Sequence, residues 1–198
     1  MSIPAPRPPP KYFKLNTILT IVLSALAIPI HIGKIDFPLA PFLKFDFCGI
    51  PLAIAGFINL SLSISLGLPI FYLGILVIGA TNPLSPLMKV LAEASTYIPM
   101  VYLYRRLHSR RFSYKILLLI LIVIAIVSRC VIMTILNIII TPLIATLFWG
   151  VPSYEVALSK IVIPTLHLIN IFNAVTALYV VILSIPIIRI LSKEGLID

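Results

Sequence analysis

The sequence predicts an all-α polytopic membrane protein with six transmembrane helices and both termini cytoplasmic, and three observations carry that prediction. Of 198 residues, 61% are hydrophobic and only 11% charged, with a mean hydropathy of +1.16. A water-soluble domain with a polar exterior is never that apolar. Apolar runs near the length of about 20 residues that one helical crossing needs follow each other with short breaks. The basic residues sit beside these runs, without interleaved aromatics, so the net charge of +9 reports topology in a lipid bilayer and not a nucleic-acid partner.

Taken in order, the runs give spans at roughly 15 to 32, 48 to 63, 65 to 80, 84 to 104, 116 to 141 and 161 to 191. Residues 1–14, with "PAPRPPP", read as a disordered Pro-rich cytoplasmic tail, and 15–198 as a single six-helix membrane domain. "LTIVLSALA" has the look of a signal-peptide core, but the apolar run continues through Ile28 and Ile30, so it is read as a retained first span. Spans two and three are divided only within "NLSLSISLGLP", where Gly67 and Pro69 mark a tight turn or a kink. The run from Ile116 to Gly150 is too long for one crossing, since 35 helical residues extend about 52 Å against about 30 Å of hydrocarbon. Pro142 is expected to end it, leaving "LIATLFWG" at the interface.

The clusters Arg7, Lys11 and Lys14, then Arg105, Arg106, Arg110, Arg111 and Lys115, then Arg189 and Lys193 fall on one side, which the positive-inside rule makes cytoplasmic. "APFLKFDFCGIP" (40–51) therefore belongs to the first external loop.

Ionisable groups at membrane depth need a partner, a cavity or a function. Counting about 1.5 Å per residue from the basic landmarks puts Lys89 about 24 Å, Glu93 about 18 Å and Arg129 about 21 Å above them, a shared depth. A neutralised cluster joining spans four and five is expected. The same count puts Asn173 about 24 Å and Asn137 about 33 Å up, in the outer half. Two amides beneath a proline-stiffened outer loop, with Lys89 near, suit a pocket for a small organic molecule more than an ion.

Other chemistries lack their signatures. Cys48 and Cys130 are far apart and read as buried free thiols. His31 and His167 come without metal-ligand spacing, His108 reads as solvated in the basic loop, and no metal is expected. With no Walker A loop, carboxylate pair or Ser-His-Asp set, the chain is not read as an enzyme, and any energy source lies in another chain. A membrane scaffold or accessory subunit without ligand is the alternative.

"PFLKFDFCGIP", "NPLSPLMKVLAEAS" followed by "YLYRR", "VIMTILNIIITPL" and "FNAVTALYVVILSIPIIRIL" together resemble the substrate-binding S components of energy-coupling factor (ECF) vitamin transporters, most of all the riboflavin-binding branch. The resemblance implies a prokaryotic, multi-pass cell-membrane subunit that binds a vitamin from outside, riboflavin or another. It also implies coupling to an ECF T component and two ATPase subunits, with no cofactor beyond the transported ligand. It makes the first loop a lid stiffened by Pro38, Pro41 and Pro51. Phe42, Leu43 and Phe45 would cover a ring, while Asn137, Asn173 and Thr176 hold the ligand. Lys89 or Thr176 would meet the ribityl hydroxyls. Thr176 stands where that branch tends to have a Lys. Thr20, Ser24 and Ala25 offer a small-residue face for the T component.

Overall fold

The computed structural model describes residues 10–107 and 112–194; residues 1–9 of the expected tail, and His108, Arg110 and Arg111, lie outside them. Helix α1 (Pro10–Ile32) leads into a hairpin of β1 (Ile35–Phe37) and β2 (Ala40–Phe45). Next come α2 (Gly49–Ile58), α3 (Leu60–Leu62), a π turn (Ser63–Gly67) and α4 (Leu68–Val77). Then follow α5 (Leu84–Leu107), α6 (Tyr114–Phe148), α7 (Tyr154–Ala157), a second π turn (Leu158–Val162) and α8 (Ile163–Lys193). The first five residues of α1 fall within the stretch expected to be a tail.

Among the described residues four helices are long and apolar enough to cross a membrane: Lys14–Ile32, Leu60–Val77, Tyr114–Phe148 and Tyr154–Lys193. Helix α5 has 24 residues, about 36 Å of rise, but carries Lys89, Glu93, Arg105 and Arg106. Helix α2, with ten residues, rises only about 15 Å.

The expected second span from 48 to 63 is thus cut short, and not at Gly67 or Pro69. Asn59 is extended (φ −154°, ψ 105°), and its side-chain oxygen accepts from the Leu62 amide at 3.0 Å. This is N-cap chemistry, which starts a new helix at Leu60. Gly67 and Pro69 instead lie within one rod. Both π turns end two residues ahead of a proline, Pro69 and Pro164. A wide turn relieves the clash between a proline ring and the carbonyl one turn back, so each helix continues.

Pro142 does not end its helix either: α6 runs unbroken for 35 residues to Phe148. Pro142 has no amide hydrogen for the Ile138 carbonyl, but the Tyr154 hydroxyl donates to it at 2.9 Å. Helix α5 solves the same problem at Pro99, where the Ser128 hydroxyl of α6 reaches the Ser95 carbonyl at 2.7 Å. Gly150 (φ 72°) then supplies the left-handed residue that turns the chain after α6.

The expected outer loop is a two-stranded antiparallel hairpin, with Ile35 opposite Phe45 and Asp36 opposite Lys44. Pro38 and Leu39 make its turn. The core below is formed by Leu52, Phe57, Phe71, Tyr97, Met100, Leu121, Val181 and Ile185, drawn from α2, α4, α5, α6 and α8. Helix α6 packs between α5 and α8, and α8 meets strand β2 of the hairpin.

Candidate functional site

The site is organised by a chain of charges. Asp46, just after β2, accepts from His31 Nδ1 at 2.8 Å and from Lys89 Nζ at 3.0 Å. Its Oδ1 also accepts from the Cys48 amide at 3.2 Å, which holds the entry to α2. Lys89 continues to Glu93 Oε1 at 2.8 Å. Arg129 meets both Glu93 oxygens at 3.2 and 3.3 Å, the Thr96 hydroxyl at 2.8 Å and Asn173 Oδ1 at 2.9 Å. Lys89, Glu93 and Arg129 do share a depth, and the cluster reaches further than spans four and five: it ties α1, the hairpin base, α5, α6 and α8 together. Arg129 and Glu93 are each only 1% exposed, so each depends on the other for solvation.

Burial alone raises the Asp46 carboxyl, but Lys89 beside it, followed by the hydrogen bonds from His31 and Cys48, bring it well below the usual carboxylate range.

Above this chain lies a cavity of about 360 Å³, lined by Phe42, Leu43, Lys89, Asn137 and Asn173 together with His31, Lys34, Lys44, Asp46, Ser85, Met88, Ala92, Arg129, Met133, Ile169 and Phe172. Five of the seven residues singled out from sequence as ligand contacts meet there. Asn137 donates one amide hydrogen to the Met133 carbonyl (2.7 Å) and accepts from Thr141 (2.9 Å). Asn173 likewise donates to Ile169 (2.8 Å) while accepting from Arg129. A carboxamide has two N–H donors, so each keeps one hydrogen beyond these bonds. Lys89, with three donors, has little left after Asp46 and Glu93.

Two of the seven lie elsewhere. Phe45 stacks on Phe172 at 4.8 Å between centroids and meets Phe37 edge-on at 5.3 Å, so it clamps the hairpin to α8 and does not line the cavity. Strand alternation puts Leu43 and Phe45 on one face, but Leu43 reaches the void while Phe45 is drawn away into the stack with Phe172 and Phe37. Thr176 is buried and donates to the Phe172 carbonyl at 2.8 Å, one turn below the cavity floor.

The expected docking face on α1 is also redistributed. Thr20 and Ser24 are fully buried and pack on the first π turn, where a Cβ on Gly67 would stand 2.7 Å from Ser24 Oγ. Only Ala25 of the three is exposed.

Sequence reasoning missed the rest of the lining, His31, Asp46, Arg129, Met133, Ile169 and Phe172 among it. A usable signal existed for some: Arg129, Met133 and Asn137 recur every four residues, as do Ile169 and Asn173, so each set shares one helical face. His31 and Asp46, brought together by the hairpin, had none.

A solved structure of the S component of a bacterial ECF transporter superposes on the chain with a TM-score of 0.68, covering 91% of this chain and 98% of that one at 23% identity. The two share a fold. No family model matches the chain, and no curated protein matches it by sequence.

Proposed function

We propose that the chain is the substrate-binding membrane subunit of an ECF-type vitamin uptake transporter and that its ligand is riboflavin or a close flavin. The observation that carries this reading is a single one: Asn137 and Asn173, from separate helices, open on the same cavity beneath the Phe42–Leu43 segment of the hairpin. Each retains an amide hydrogen, and a volume of about 360 Å³ lies within the range of small-molecule sites, about 300–1,000 Å³. Isoalloxazine offers alternating donors and acceptors along one edge and a broad face for Met88, Met133, Ile169 and Phe172. The shared fold supports the subunit class. Six crossings, cytoplasmic termini, a prokaryotic cell membrane, and a T component with two ATPase subunits as partners complete the reading.

The test is a titration of purified protein in nanodiscs with riboflavin, reading flavin fluorescence. Saturable quenching at micromolar flavin is expected. Its absence removes the flavin, and a screen of other vitamins then tests the subunit class. A scaffold without ligand finds its support in the mutual neutralisation of Lys89, Glu93 and Arg129; on that reading no vitamin binds.

A further inference from the structure

A second cavity, of about 450 Å³, adjoins the first at the same end of the bundle, between the end of α1, the α4–α5 turn and the start of α5. His31, Lys34, Ser85 and Lys89 line both, so the two chambers share a wall. The second differs in character. Its lining includes Lys34, His31, Lys89, Thr81 and Ser85 and, among the described residues, contains no carboxylate.

The charge balance singles out one residue. Lys89 is matched by Asp46 and Glu93, Arg129 by Glu93, and Lys44 by Asp36 at 3.1 Å. Among the described residues no carboxylate lies within ion-pair distance of Lys34, which faces both chambers. Lys34 is solvent-exposed, and a cation with no carboxylate partner at the junction of two cavities attracts an anion, to which the Thr81 hydroxyl adds a donor in the second chamber and the Ser85 hydroxyl one on the shared wall.

We propose that the second chamber receives an oxyanion, phosphate or carboxylate, carried on a polar extension of the ligand whose ring fills the hairpin chamber, with Lys34 as its counter-charge. This rests on the flavin-subunit reading for the identity of the ring, and specifies the charge class of the transported molecule.

The experiment compares riboflavin with riboflavin 5′-phosphate by fluorescence quenching in nanodiscs at low salt, for wild type and Lys34→Gln. Tighter binding of the phosphate ester by about tenfold, the scale of one charge-assisted hydrogen bond, is expected in wild type and is lost in the variant. Equal affinities in wild type, or an advantage that survives Lys34→Gln, overturn the proposal while leaving the flavin reading standing. Should neither flavin quench, the flavin reading fails and the oxyanion is tested alone, by thermal unfolding in phosphate, acetate or chloride at matched ionic strength. A higher midpoint in phosphate or acetate than in chloride, abolished by Lys34→Gln, supports the site and says which oxyanion it prefers. Identical midpoints overturn it.

Discussion

The Tyr154 hydroxyl donates to the Ile138 carbonyl at 2.9 Å, the carbonyl that Pro142, four residues further on, leaves without an amide partner. A side chain from the following short helix thereby completes the backbone ladder of α6. In Tyr154→Phe that part-buried acceptor loses its donor, which should destabilise the protein by about 0.5–1.5 kcal/mol. Adding Pro142→Ala restores an amide hydrogen, so the double variant should recover much of the loss. Unfolding midpoints of the four proteins in one detergent give the coupling; simple additivity would mean that the Tyr154 bond does not stand in for the amide that Pro142 lacks.

Glu93 and Arg129 form the most enclosed ion pair of the cluster. Removing Glu93 leaves Arg129 charged and dry, whereas removing Arg129 leaves Lys89 to offset both Glu93 and Asp46, so Glu93→Gln should cost about 3–5 kcal/mol and Arg129→Gln less. The double Gln variant, which leaves no lone charge, should be more stable than the sum of the singles by more than 1 kcal/mol, on the scale of couplings of about 0.5–3 kcal/mol between contacting residues. Equilibrium unfolding of all three checks this.

The membrane class, the shared depth of Lys89, Glu93 and Arg129, and the meeting of Asn137 with Asn173 were legible because helical rise and the cost of buried charge are local rules. The helix breaks were less so. Pro142 looks like a terminator until Tyr154 supplies the missing donor, and Asn59 looks unremarkable until its capping role is seen. Thr20 and Ser24 read as an outer face because hydropathy does not tell which side of α1 meets the π turn. Phe45 and Thr176 stand outside the void for a similar reason: each sits one step of a strand or one turn of a helix away from it, a distance set by packing and not by sequence spacing. The hairpin register, which joins His31 to Asp46, is a long-range property with no local mark.

Asp46 joins the hairpin base to α1 and α5, and its carboxyl titrates below the usual range. A carboxyl whose folded value is depressed adds stability that is complete above its unfolded value of about 4 and is lost as the pH falls through the lower folded value. The difference in unfolding midpoint between wild type and Asp46→Asn should therefore shrink only in acid, below about pH 4. A difference that does not vary between pH 6 and strong acid would show that the ion pairs with Lys89 and His31 do not hold the hairpin.

The stack of Phe45 on Phe172 fastens the hairpin over the cavity without touching its interior. Phe45→Ala should free the lid, so the loss should appear in dissociation. Truncating a stacked aromatic pair removes about 0.5–1.5 kcal/mol beyond its buried area, enough to raise koff several-fold. Stopped-flow flavin fluorescence should show faster release with a near-constant association rate; slowed association instead would mean that the hairpin gates entry.

Asn137 and Asn173 line one cavity but differ in what else depends on them. Among the described residues Asn137 bonds within its own helix, to Met133 and Thr141, whereas Asn173 also accepts from Arg129 Nε. Asn137→Ala should thus weaken riboflavin binding by about 1–3 kcal/mol, or about 5- to 150-fold in Kd, with little change in unfolding midpoint. Asn173→Ala should lower both affinity and stability, since Arg129 loses a partner in a dry site. Thr176→Val, which alters a hydroxyl bonded to the Phe172 carbonyl outside the cavity, should leave affinity within about twofold, because a direct ligand hydrogen bond would cost more than that. Titration and thermal unfolding of the three variants together separate a ligand-binding pair from a helix-bridging one: unchanged affinity in Asn137→Ala would assign that amide to packing alone.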